Sequence, residues 1–115
     1  MRLKAADLRR LRPPEVRIGE RLLREALRQP LRCVRVRIRT RKGPCTDDWC
    51  ETISFAAAEW DEDCSPAADD MVMEVEGFRI IMDGDLYYSA SKMRDKLQLD
   101  VDRRGHLTVD GFSSY

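Results

Sequence analysis

The sequence of 115 residues has a single histidine, and its first 44 residues contain no phenylalanine, tyrosine or tryptophan. It also lacks the glycine-rich nucleotide-binding motifs, the HExxH zinc motif and the GxSxG nucleophile motif. No apolar run approaches the roughly 20 residues that span a bilayer, and the N-terminus has no continuous apolar signal segment. These features predict a cytoplasmic protein that has no membrane segment and is not an enzyme.

The net charge of zero results from two halves of opposite charge. Residues 1–44 contain fifteen Arg and Lys but four Asp and Glu, so they carry +11 and the remainder carries −11. Acidic and basic surfaces that adjoin within one domain, or meet across a dimer interface, explain this division. A basic face for an acidic partner protein is the alternative. Nucleic acid is a less favourable partner, because the basic half has no aromatic side chains on which bases could stack.

Residues 31–55 predict two paired strands joined by a turn that carries cysteines. Val34, Val36 and Ile38 alternate with arginines, which is the period of a half-buried strand. Gly43 and Pro44 interrupt the pattern, and an alternating segment resumes after residue 50. The predicted turn holds Cys45, Asp47, Asp48, Trp49 and Cys50.

The rest of the sequence predicts one domain over 15–115, preceded by a charged N-terminal extension over 1–14 that ends in two prolines. The strand connections are mostly short, which favours antiparallel or mixed pairing. We therefore predict an α+β fold, a small and mostly antiparallel or mixed β sandwich with an N-terminal helix. The further predicted elements are an extended piece at 16–18, helices at 19–29 and 86–97, a long loop at 56–70, and hairpins at 71–83 and 97–109.

The four cysteines could form two disulfides, but without an export signal a reducing compartment favours thiols, metal ligation or redox chemistry. Cys45, Cys50 and Cys64 lie in the two predicted loops that flank one strand. If both loops lie at the same end of the sheet, the three sulfurs could bind zinc, iron or an iron-sulfur cluster. The alternatives are ordinary reduced cysteines and a redox pair formed by Cys45 and Cys50. Candidates for a fourth ligand are Asp47, Asp48, His106, water and a residue of a second subunit.

Several segments follow one another in a recognisable order: Val36-Arg37-Ile38-Arg39-Thr40, Gly43-Pro44-Cys45, Trp49, Ile53 with Phe55, Val75-Glu76-Gly77-Phe78-Arg79-Ile80-Ile81-Met82-Asp83, and Leu86-Tyr87-Tyr88. This order resembles the HesB/IscA-like family, the A-type carriers of iron-sulfur cluster assembly. The resemblance extends over residues 16–112, and the C-terminal Cys-Gly-Cys of the family has no counterpart in this sequence.

The resemblance implies a HesB-like fold and a non-catalytic carrier of iron or an iron-sulfur cluster. It also implies a homodimer, and apo-proteins or assembly factors as partners. On the residues themselves we predict Cys45, Cys50 and Cys64 as metal ligands. The alternative is a metal-free interaction module whose basic half docks an acidic partner through Arg35, Arg37, Arg39 and Arg41.

Overall fold

The computed structural model describes residues 10–28, 32–93, 96–111 and 113–114. Within these ranges the chain forms eight strands and two helices. In chain order they are β1 (Glu15–Ile18), α1 (Glu20–Ala26), β2 (Cys33–Cys45), β3 (Cys50–Trp60), β4 (Asp70–Val75), β5 (Phe78–Asp83), α2 (Gly84–Met93), β6 (Lys96–Val101), β7 (Leu107–Asp110) and β8 (Ser113–Ser114).

A five-stranded sheet in the order β4-β5-β2-β3-β8 contains the predicted arginine-rich strand at its centre. Strand β2 pairs in parallel with β5 and antiparallel with β3. The β2–β3 pairing runs from Val34 opposite Trp60 to Cys45 opposite Cys50. The prediction of a loop at 56–70 is therefore wrong for residues 56–60, which continue β3 along the whole length of β2.

A second sheet in the order β1-β6-β7 packs against the first around one core. Both helices contribute to this core, so the predicted α+β class with mixed sheets is confirmed. Val34, Val36 and Ile38 of β2 point into the core, and the odd-numbered arginines lie on the opposite face of the sheet. The fully buried large side chains are Leu22, Val34, Val36, Phe78, Ile80, Ile81, Met82, Leu86, Leu97 and Leu99.

The predicted tight turn and the predicted helices at 19–29 and 86–97 are present with shifted boundaries. Glu76 and Gly77 both have positive φ, as the turn between β4 and β5 requires. The second helix begins at Gly84 instead of residue 86, because Asp83 Oδ1 accepts a hydrogen bond from the Leu86 N–H at 2.9 Å and caps the first turn. It ends by Met93, and Leu97 belongs to β6.

Helix α1 is capped from another part of the chain. Gly19 precedes the helix without a side-chain cap, and Asp100 Oδ1 of β6 accepts a hydrogen bond from the Leu22 N–H at 3.0 Å. A Cβ atom on Gly19 would lie 2.3 Å from Asp100 Oδ2, so a side chain at this position would displace the carboxylate that caps the helix. The helix covers Glu20–Ala26 of the predicted 19–29, and residue 29 lies outside the described residues.

Asp100→Ala is expected to lower the free energy of unfolding by about 1 kcal/mol, because the first turn of α1 loses its acceptor. Chemical denaturation of the variant measures this change. Asp110→Ala, which removes an exposed carboxylate at the end of β7, is the matched control and should change the free energy of unfolding little. Equal effects of the two substitutions would contradict the capping role.

The beginning of the described chain contacts the domain. Leu11 packs against the core, and the Ser91 hydroxyl donates a hydrogen bond to the Arg12 carbonyl. Residues 1–9 lie outside the described residues, so the division into a 1–14 extension and a 15–115 domain stays a prediction. Neither helix of the described ranges is long and apolar enough to cross a membrane.

Candidate functional site

The four cysteines form two disulfides, Cys33 with Cys64 and Cys45 with Cys50. The sequence favoured free thiols over disulfides, but all four cysteines are paired and none is free in the structure. Cys45 and Cys50 are paired because they lie directly opposite each other in the β2–β3 register. Cys33 and Cys64 are paired because the loop after β3 folds back over the first residue of β2.

The three cysteines proposed as metal ligands do not converge. Cys64 is bonded to Cys33, the first residue of β2, whereas Cys45 is the last residue of β2. A strand of 13 residues separates these ends by about 40 Å. Among the described residues, no group of three or more His, Cys, Asp or Glu side chains is placed to hold a metal ion. The disulfide-bonded form thus does not fit an iron-sulfur cluster held by Cys45, Cys50 and Cys64.

Arg35 holds the loop between β3 and β4 against the sheet through three hydrogen bonds. Its guanidinium donates to Asp61 Oδ2 at 3.0 Å, to Asp70 Oδ2 at 2.7 Å and to the Ser65 carbonyl at 2.9 Å. The Arg35 side chain is only 14% exposed. It therefore does not belong to the exposed surface for which the sequence analysis proposed it, because the loop covers it and its donors are already bound.

The pKa values in this cluster follow the contacts. The hydrogen bond to Asp70 is the main factor that raises the pKa of Arg35, against the opposing effect of burial. Burial alone would raise the pKa of Asp61, but hydrogen bonds from Arg35 and from the Cys64 N–H outweigh it and hold that pKa below its usual value. Both groups are therefore charged at neutral pH, and they form a structural ion pair.

Beyond this cluster, β2 and β3 continue as an arm, which we define as residues 37–57. Strand β5 pairs with β2 only as far as Val36, and β8 pairs with β3 at Ser54 and Phe55. From residue 39 to 45, β2 is at most half-buried, as expected for a strand that has left the core. The long axis of the molecule measures 50 Å.

The tip of the arm is closed by covalent and hydrogen bonds. The disulfide between Cys45 and Cys50 joins the strands immediately below the turn. In the turn, the Thr46 N–H donates to the Trp49 carbonyl at 2.7 Å, and the Trp49 N–H donates to Thr46 Oγ1 at 3.3 Å. The Trp49 side chain is 58% exposed. The turn therefore presents a large apolar surface to solvent in a fixed position.

One face of the arm carries three exposed arginines, Arg37, Arg39 and Arg41. Arg37 forms a half-exposed ion pair at 3.2 Å with Glu59. The neighbours directly opposite Arg39 and Arg41 are Phe55 and Ile53, which carry no charge. The arginine alternation predicted this face correctly, but nothing in it distinguished the covered Arg35 from the exposed arginines.

The comparisons with known proteins show no family for this chain. No protein-family model matches the sequence, and no curated protein matches it. Among solved structures, a crystal structure of IscA with a 2Fe-2S cluster is similar over 84% of each chain, with 11% sequence identity and a TM-score of 0.44. A likeness of this degree does not carry the function of that protein over to this chain, so the family resemblance in the sequence stays a prediction.

Proposed function

We propose that this chain is a non-catalytic protein-interaction module that docks an acidic partner through the 37–57 arm. The observation that carries the proposal is the exposed arginine face, in which Arg39 and Arg41 have no carboxylate directly opposite them. Guanidinium groups bind carboxylates through paired hydrogen bonds, and they retain their charge at every physiological pH. An acidic surface is therefore the partner that this face suits best.

The construction of the arm supports the same function. The disulfide and the hydrogen-bonded turn restrict the arm before binding, so that less conformational entropy is lost when a partner docks. Trp49 adds an exposed aromatic side chain, a residue type that is enriched in protein interfaces. The exposed Asp47 and Asp48 directly precede Trp49, so the contact with an acidic partner is expected at Arg37, Arg39 and Arg41 and not at the tip of the arm.

A second basic surface provides the competing location for an acidic partner. It surrounds a cavity of about 310 Å³ between α1 and the turn after β6. This surface also contains Glu25 and Asp102, which reduce its positive charge. Its arginines are Arg21, Arg24, Arg28 and Arg103.

Reversing the charge of the arm should weaken binding of an acidic probe. Arg39→Glu with Arg41→Glu is expected to raise the Kd for polyglutamate about tenfold, or about 1.4 kcal/mol, because two attractions become repulsions. Arg103→Glu with Arg104→Glu makes the same change in net charge in the turn after β6, and it should have a clearly smaller effect. Isothermal titration calorimetry at low and high ionic strength measures both, and added salt should weaken binding to the wild-type protein.

Two results would contradict the docking arm. Equal weakening by the two double variants would show that polyglutamate responds only to net charge. Stronger weakening by the variant in the turn after β6 would place the acidic partner on the second basic surface.

A second candidate function is binding of a soft metal at the arm tip after reduction of its disulfide. The observation that favours it is the position of Cys45 and Cys50, whose Cα atoms are 3.9 Å apart at an exposed tip next to Asp47 and Asp48. Two thiolates with carboxylates, or with a second copy of the tip, would suit zinc, iron or a cluster. Cys64 lies at the other end of β2 and is not part of this candidate.

Metal content after reduction and anaerobic purification tests the second candidate. Bound zinc or iron, or iron-sulfur absorption in the visible spectrum, should disappear in Cys45→Ala with Cys50→Ala. The same signal should remain in Cys33→Ala with Cys64→Ala. A reduced wild-type protein that binds neither metal stoichiometrically would exclude this function.

A further inference from the structure

The backbone groups of β2 point alternately to its two neighbours. The Cys33 carbonyl accepts a hydrogen bond from the Asp61 N–H on the β3 side at 2.9 Å. The Arg32 carbonyl accepts from the Arg79 N–H on the β5 side at 2.8 Å. Since the direction alternates along a strand, odd residues of β2 bond to β3 and even residues face the side of β5.

The side of β2 that faces β5 becomes an open edge at the start of the arm. Asp83 is the last residue of β5, and its Oδ2 accepts a hydrogen bond from the Ile38 N–H at 3.0 Å. Beyond that point, the five-stranded sheet has no further strand on this side within the described ranges. The N–H and C=O groups of Thr40 and Lys42 point to this edge, and both residues are exposed.

We propose that this edge binds an extended acidic segment of the partner, which adds to the sheet as a strand next to residues 38–42. The inference rests on the proposed function and specifies its mode of recognition. Backbone hydrogen bonds to Thr40 and Lys42 would give the contact its geometry. Arg39 and Arg41 on one face, and Lys42 on the other, would select carboxylate side chains on the added strand.

The charges at the edge favour an acidic partner over a second copy of this chain. Pairing of two such edges would place Arg39, Arg41 and Lys42 of one copy beside the same cations of the other, and like charges on adjacent strands are destabilising. Basic residues on an open edge commonly prevent this self-pairing. Pro44 lacks an N–H, so it limits the docking edge on the side of the arm tip.

Amide hydrogen exchange with a short peptide of alternating Glu and Val tests the strand addition. In the free protein, the amides of Thr40 and Lys42 should exchange rapidly, whereas those of Arg39 and Arg41, which bond to β3, should be protected. Saturating peptide should slow the exchange of the Thr40 and Lys42 amides at least tenfold. The Arg39 and Arg41 amides serve as internal controls, because they are already bonded.

Two N-methylated forms of the peptide provide matched controls. Methylation of every Val nitrogen and methylation of every Glu nitrogen remove N–H groups from opposite edges of the added strand. We expect one form to lose binding and the other to keep it, because only the N–H groups on one edge of the added strand bond to β2. With the Glu side chains on the face of Arg39 and Arg41, the form that loses binding reports the strand direction. An antiparallel strand then presents the backbone N–H groups of its Val residues to Thr40 and Lys42, whereas a parallel strand presents those of its Glu residues.

The outcomes separate this inference from the proposed function. Peptide binding that shifts the signals of Arg39 and Arg41 without protecting the Thr40 and Lys42 amides would overturn the strand addition but leave the docking arm intact. An acidic peptide that binds elsewhere, or not at all, would overturn both. Protection of these amides in concentrated protein without peptide, together with dimers in solution, would identify a second copy as the occupant.

Discussion

Removing the disulfide between Cys33 and Cys64 is expected to lower the free energy of unfolding by about 3–4 kcal/mol. The two residues are 31 positions apart, so the bond closes a long loop in the unfolded chain and removes much of its conformational freedom. The bond also holds the 61–69 loop against the sheet. Urea denaturation of Cys33→Ala with Cys64→Ala measures the loss, and alanine avoids placing a hydroxyl at the buried Cys33 position.

The disulfide at the arm tip provides the matched comparison. Cys45 and Cys50 are only 5 positions apart, so their removal should cost less, about 2 kcal/mol. Peptide mapping without reduction should recover these two pairings before the stabilities are compared. A greater loss of stability from the tip variant than from Cys33→Ala with Cys64→Ala would contradict the assigned structural roles.

Arg35→Met is expected to destabilise the protein by about 1–3 kcal/mol, because it leaves Asp61 and Asp70 without their shared cation in a largely covered site. Methionine preserves most of the side-chain length, so the change mainly removes charge and hydrogen bonds. Arg37→Met is the control on the same face. Its ion pair with Glu59 is half-exposed, and its loss should cost about 0.2–1 kcal/mol.

The pH dependence of stability gives an independent test of the Arg35 cluster. The pKa of Asp61 is lower in the folded protein than in the unfolded chain, so its contribution is complete above the ordinary carboxyl pKa. The contribution is lost as the pH falls through the lower, folded value. The difference in stability between wild type and Arg35→Met should therefore decrease in acid, and a difference that stays constant or increases would contradict the ion-pair role.

The sequence alone predicted the elements whose patterns are local. Alternation along β2, the Glu76-Gly77 turn and the last hairpin depend on neighbouring residues, and the structure confirms them. The end of β3 was missed because residues 56–60 include three alanines and end in Glu59 and Trp60, a composition with little strand signal. Their strand conformation comes from pairing with β2, which is a tertiary interaction.

The candidate site was predictable in composition but not in arrangement. Four cysteines allow three disulfide connectivities, and only the fold shows that the 61–69 loop brings Cys64 to Cys33 at the opposite end of β2 from Cys45. The alternating arginines are equivalent in sequence. Arg35 differs from Arg39 only because Asp61 and Asp70, 26 and 35 residues later, return to cover it.

Chemical-shift mapping of the backbone amides during titration with polyglutamate tests the docking arm most directly. The largest changes should fall between Arg37 and Lys42, and they should diminish in Arg39→Glu with Arg41→Glu while the rest of the spectrum is preserved. Largest changes in α1 and around Arg103, with the arm unaffected, would show that the arm is not the binding surface for acidic partners.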